Sequence, residues 1–86
     1  MKKHNILKYP LVTEKSVRLL HNENRLLFVV DLNANKRDIK DAFEKQFEMT
    51  VDDINTYITN KGEKRAYIKL KSEHPAMDVM TKLGLM

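Results

Sequence analysis

Residues Arg25–Leu32 read Arg-Leu-Leu-Phe-Val-Val-Asp-Leu, and this run most constrains what the chain can fold into. Alternate side chains of a strand point to opposite faces, so Leu26, Phe28, Val30 and Leu32 face one way while Leu27 and Val29 face the other. A strand that is apolar on both faces is covered on both, which makes it central and predicts helices above and below it. A three-layer α/β/α arrangement is therefore expected in preference to an open two-layer one.

The rest of the chain supplies elements for such layers. Ile6–Tyr9 is a short first strand. Pro10 keeps the following segment extended, Thr13 is a good N-cap, and Glu14 sits where the helix dipole favours negative charge. Glu14–His21 reads as a helix with Val17 and Leu20 inward, followed by the polar turn Asn22-Glu23-Asn24. Asn35 caps the next helix, with Asp38 in its first turn and Ile39, Ala42, Phe43 and Phe47 forming one apolar stripe.

Val51–Thr59 is a second long strand, with Ile54, Thr56 and Ile58 alternating against Asn55, Tyr57 and Thr59. Asn60-Lys61-Gly62-Glu63 is a hairpin connection with Gly where a positive φ is needed. Lys64–Lys71 returns with Ala66, Ile68 and Leu70 inside and Arg65, Tyr67, Lys69 and Lys71 outside. Pro75 suits the first turn of a last helix, whose inner face is Ala76, Val79, Met80 and Leu83, with Gly84 closing it. The order β-α-β-α-β-β-α belongs to an α+β domain and differs from the ferredoxin-like order β-α-β-β-α-β.

Eighty-six residues make one domain, 1–86. Folding at that length buries only ~60–65% of the unfolded surface, which leaves little room for a large enclosed pocket. The formal net charge is +4. Residues 1–33 carry six basic and three acidic groups, residues 34–59 four and six, and residues 60–86 six and three, so positive charge belongs to the two ends of the sequence. Absence of cysteine excludes a disulfide scaffold and a thiolate metal site. The start Met1-Lys2-Lys3 resembles a signal peptide, but Lys8, Tyr9 and Pro10 end the apolar run after two residues. No segment reaches the roughly 18–20 apolar residues of a membrane span. A soluble cytoplasmic domain is the expectation.

Catalytic and metal chemistry find little to work with. His4, His21 and His74 are far apart and lack a second ligand at a metal-site spacing. Asp52 and Asp53 are consecutive on a strand and point to opposite faces. No glycine-rich loop is present to cradle a phosphate. No cofactor is expected, and the chain does not read as an enzyme.

One constellation survives, a basic surface interleaved with an aromatic. Residues 61–71 carry five basic groups, Lys61, Lys64, Arg65, Lys69 and Lys71, against the single acid Glu63. Arg65, Tyr67, Lys69 and Lys71 share a strand face at ~6.5–7 Å per two residues, a pitch that flexible side chains can match to successive phosphates. Tyr67 between cations can stack on a base or a ribose. The same pattern also suits a strand face kept soluble and protected from edge pairing by Lys and Arg. In that case the chain is a small protein–protein adaptor. If RNA is the partner, the lack of an aromatic-rich recognition signature points to structured RNA held through phosphates and 2′-hydroxyls. Lys36 and Lys40, on the outer side of the second helix, are further phosphate candidates.

Several motifs together resemble one family. Pro10-Leu11-Val12-Thr13-Glu14-Lys15-Ser16 is similar to the N-terminal signature of the large-subunit ribosomal protein "L twenty-three". Lys36, Ile39-Lys40, Ala42, Glu44 and Phe47 are similar to its helical pattern, and Val51-x-x-Ile54-Asn55-Thr56 to its Val-x-x-Val-Asn-Thr strand. Residues Lys64 to Leu70 resemble its Lys-Lys-Ala-Tyr-Val-x-Leu strand, and residues 78–84 the last helix of its archaeal and eukaryotic branch.

The resemblance implies an antiparallel sheet and a cytoplasmic, ribosome-bound protein without membrane insertion. Its expected partners are large-subunit rRNA near the exit tunnel, neighbouring ribosomal proteins, and nascent-chain targeting factors such as the signal recognition particle. It adds Lys15, Asn55 and Thr56 to the RNA-binding candidates, and Glu14 and Glu48 as positions for docking those factors. Bacterial members carry a long basic loop where residues 60–63 close the connection here, so the chain looks archaeal in type.

Overall fold

The computed structural model describes residues 6–84. The elements run β1 (Leu7–Pro10), α1 (Glu14–Glu23), β2 (Arg25–Val30), α2 (Lys36–Phe47), β3 (Val51–Ile58), β4 (Lys64–Leu70) and α3 (Ala76–Lys82). The strands form one antiparallel sheet in the order β1-β2-β4-β3. The α+β class and the element order are those expected from the sequence.

Capping chemistry sets the helix starts. Thr13 Oγ1 accepts from the Ser16 N–H at 3.1 Å, and Ser16 Oγ accepts from the Thr13 N–H at 2.7 Å. This reciprocal pair, with a further bond from the Ser16 hydroxyl to the Leu11 carbonyl at 2.9 Å, explains how a polar Ser16 sits buried. Asn35 and Asp38 repeat the arrangement at α2, at 2.8 and 3.2 Å. Helix α1 runs two residues beyond the expected His21 and stops at Asn24, whose φ of 55° is left-handed. Helix α2 stops at Glu48, φ 57°, also left-handed.

The core lies between the helices and one sheet face. Leu20 of α1, Ile39, Phe43 and Phe47 of α2, and Ala76, Val79 and Met80 of α3 join Leu26, Phe28, Val30, Ile54, Ala66, Ile68 and Leu70 in a single cluster. Phe43 is its aromatic centre, with ring centroids 6.1 Å from Phe28 and 4.7 Å from Phe47. On the other face of β2, Leu27 and Val29 are only 8% and 2% exposed, so the strand is buried on both sides. The buried residues of all three helices nonetheless join the one cluster on the first face, so the helices do not supply the layer on each face that the three-layer expectation required.

Four local expectations need correction. Strand β2 ends at Val30, and Leu32, expected inward, is half exposed. Asp31 turns the chain there, its side chain accepting from the Asn33 N–H and its carbonyl from the Ala34 N–H. Ile58, also expected inward, is 59% exposed, because it lies at the end of an edge strand with Lys64 as its cross-strand neighbour. A register shift between Val51 and Asp53 inserts one residue into β3, which lets both Val51 and Ile54 reach the core three positions apart. Pro75 is the N-cap of α3 and lies outside its first turn. Having no side-chain hydrogen-bonding group, it leaves the Ala76 N–H to be taken by Asn24 Oδ1 at 2.7 Å.

Candidate nucleic-acid interface

Antiparallel register determines which side chains share the second face of the sheet, since directly paired residues lie on the same side. The hairpin connection closes with the Thr59 N–H on the Glu63 carbonyl at 2.8 Å and Gly62 at φ 82°. Tyr57 is thereby paired with Arg65, and Asn55 with Tyr67. Strand β2 lies on the other side of β4, pairing Val29 with Arg65, Leu27 with Tyr67 and Arg25 with Lys69.

Three rows result across the sheet. The first runs Tyr9, Val29, Arg65, Tyr57; the second Leu27, Tyr67, Asn55; the third Arg25, Lys69, Asp53. An apolar floor of Leu27 and Val29 is thus surrounded by cations, tyrosines, one amide and, opposite Lys69 on the edge strand, the Asp53 carboxylate. Being paired on both sides, β4 has no free edge, so edge protection does not account for its Lys and Arg.

Hydrogen bonds and stacking order this face. The Tyr57 and Tyr67 rings stack with centroids 5.6 Å apart and planes 24° apart. Glu63, the lone acid of the hairpin, receives Arg65 Nε on one oxygen at 2.8 Å and the Tyr9 hydroxyl on the other at 3.0 Å. Its carboxyl is held below the usual range, first by the Arg65 hydrogen bond and then by that from Tyr9. The Arg65 guanidinium is pushed up, first by the adjacent Tyr57 hydroxyl and then by Glu63. Burial, followed by the neighbouring Tyr57, raises the Tyr67 phenol. Arg25 Nε lies 3.2 Å from Glu23 Oε1 but forms no hydrogen bond, leaving a buried donor on this face.

The remaining sequence candidates scatter. Arg65, Tyr67, Lys69 and Asn55 come together, whereas Thr56 pairs with Ala66 on the helix-covered face. Lys64 is on that face too, with Nζ donating to the Ala34 carbonyl at 2.6 Å, which gives it a structural task. Lys36 and Lys40 are exposed on α2 and, with Arg37, line a shallow recess that also holds Asp52 and Asp53, three cations against two carboxylates and apart from the cations of β4. Lys61 at the hairpin tip, Lys71 just past β4 and Lys15 on α1 are exposed at separate places. The Glu14 side chain is 90% exposed, 3.5 Å from Arg18, and Glu48 is exposed at the end of α2.

Among the described residues no group of three His, Asp or Glu could hold a metal ion, and no helix is long and apolar enough to cross a membrane. His21 and His74 are on separate elements, and His4 lies outside the described residues. Tyr57, Tyr9 and Arg25 join the face without being among the residues that the sequence singles out. The expected four-residue connection 60–63 would set Tyr57 against Ala66. The loop instead closes over residues 60–62, with Thr59 opposite Glu63, and that one-residue difference is what sets Tyr57 against Arg65.

Comparison with known proteins gives a consistent picture. The family model for Ribosomal protein L23 matches residues 5–76. The chain is 44% identical over 81 residues to the large ribosomal subunit protein uL23 of Methanococcus aeolicus, covering 94% of each chain. It is 47% identical, over the same length and shares, to the uL23 of Methanococcus vannielii.

Proposed function

The chain belongs to the ribosomal protein L23 family, and we propose that, as a structural, non-enzymatic constituent of the large ribosomal subunit in the cytoplasm, it grips rRNA with the second face of its sheet. The observation that carries this reading is the placement of Arg65, Lys69 and Arg25 around the stacked Tyr57–Tyr67 pair on a partly exposed surface. Cations at strand pitch suit phosphates, and the tyrosines suit bases or riboses. Neighbouring ribosomal proteins complete the setting, and a position near the exit tunnel is part of this proposal, suggested by the family resemblance.

Replacing Arg25, Arg65 and Lys69 together with Ala is expected to weaken binding to a large-subunit rRNA fragment. The salt dependence should flatten by ~0.7–0.9 for each phosphate that is no longer neutralised. Lys64 is left in place because its ammonium holds the Ala34 carbonyl. A triple variant with the slope of the parent protein would remove this face from the interface.

Glu14 and Glu48 form the second part of the proposal, a docking surface for basic targeting factors such as the signal recognition particle. Both carboxylates are exposed at helix ends, and Glu14 is otherwise engaged only in a surface ion pair with Arg18, worth ~0.3–0.5 kcal/mol at such spacings. Reversing both charges to Lys is expected to slow factor recruitment to assembled ribosomes and reduce its salt sensitivity while the fold persists. Unaltered recruitment would discard the docking role and leave RNA binding alone.

A further inference from the structure

The row Tyr9, Val29, Arg65, Tyr57 contains more than positive charge. Tyr57 is on the edge strand, so no further strand lies beyond it, and it is 37% exposed. On its inner side it stacks on Tyr67, a half-buried ring fixed between β2 and β3. The pair is therefore a two-ring stack whose outer member faces solvent. Arg65 is the direct cross-strand partner of Tyr57. Glu63 engages its Nε and the Tyr57 hydroxyl lies beside the guanidinium, whose four terminal N–H donors exceed what these neighbours can take. The same carboxylate is tied to the Tyr9 hydroxyl, so it is itself held in place.

We propose that Tyr57 and Arg65 form a site for one unpaired nucleotide of a structured RNA, the Tyr57 ring taking the base and the Arg65 guanidinium the phosphate. This rests on the reading of the second sheet face as the RNA surface and names what that face selects. A base paired within a duplex cannot offer its ring to Tyr57, whereas a base splayed from a loop or bulge extends the existing stack by one ring. Tyr67 is a positioning residue for Tyr57. Glu63, the one acid among residues 61–71, is a positioning residue for Arg65: it fixes the guanidinium plane at the expense of one unit of positive charge.

The test uses the full chain and the same large-subunit rRNA fragment. Tyr57→Leu is expected to lose roughly 5- to 150-fold in affinity, the equivalent of one stacked base, with the salt slope unchanged. Tyr57→Phe should keep the affinity. Glu63→Gln, although it raises the net charge by one, should weaken binding, and should do nothing in an Arg65→Ala background. In the unaltered protein the ring-proton resonances of Tyr57 should move upfield on binding, as they do under a stacked base. With a blunt RNA duplex they should stay where they are. This second measurement needs no variant to fold. If Tyr57→Leu binds like the parent, or Tyr57→Phe loses as much as Tyr57→Leu, or the ring resonances do not move, the nucleotide site is wrong. If Arg65→Ala still flattens the slope in that case, the RNA-binding face itself stands. If neither substitution changes affinity, both readings fall.

Discussion

Phe43→Ala is expected to lower the unfolding free energy by ~3–5 kcal/mol, as large aromatic truncations in closed cores do. Phe43 is fully buried and touches the core from its middle, edge-on to Phe28 of the central strand and 4.7 Å from Phe47 one turn along α2. A cavity there cannot collapse easily, because the sheet behind it is fixed by β4, which pairs with β2 on one side and β3 on the other. Small domains have only about 5–15 kcal/mol of total stability, so this one change should remove a large part of it. Denaturant melts should show a lower midpoint with an unchanged slope. Lys36→Ala, at an exposed position in the first turn of the same helix, should leave the midpoint where it was. The reverse order of effects would mean that α2 presents its other face to the sheet.

Local chemistry makes much of this fold legible in the sequence. Thr13 and Asn35 announce helix starts because capping involves residues three positions apart, and both caps form. The two-sided composition of Arg25–Val30 announces a central strand because burial on both faces is a property of the strand itself. Where expectation and structure part, the cause is non-local. Leu32 and Ile58 continue an apolar alternation, yet a turn at Asp31 and an edge position next to Lys64 leave both exposed. The candidate site shows the same division. Arg65, Tyr67 and Lys69 are recognisable together because they lie on one strand. Tyr9 and Arg25 are not, because their membership depends on the order β1-β2-β4-β3, which no single segment encodes. Lys64 is like its neighbours Arg65 and Lys69 in composition, but strand parity sends it to the other face and onto the Ala34 carbonyl.

Asn24 is the extreme case of a residue whose role is invisible in the sequence, and its replacement should have the second largest effect. Read locally it is turn chemistry; in the fold it joins the end of α1 to the segment between β4 and α3. Its side-chain amide donates to the carbonyls of Leu70, Lys71 and His74 at 3.2, 3.3 and 3.0 Å, and its oxygen accepts from the Ala76 N–H at 2.7 Å. The residue thus serves α3 in place of the side-chain cap that Pro75 cannot provide. It also adopts a left-handed backbone, which Asn tolerates better than most residues. Asn24→Ala removes both properties. The Ala76 amide belongs to a fully buried residue and would be left unpaired, a cost of ~1–3 kcal/mol, with ~1 kcal/mol more from the backbone conformation, so a loss of roughly 2–4 kcal/mol is expected. Asn24→Gly separates the two contributions. It accepts the left-handed conformation but offers no side chain, so it should recover only the backbone part and remain well below the parent protein. Hydrogen exchange should locate the damage, with the Ala76 amide losing protection in both variants while the Ile68 amide in the sheet keeps its rank. A glycine variant as stable as the parent, with Ala76 still protected, would reduce Asn24 to a backbone device and leave α3 held by the packing of Ala76, Val79 and Met80.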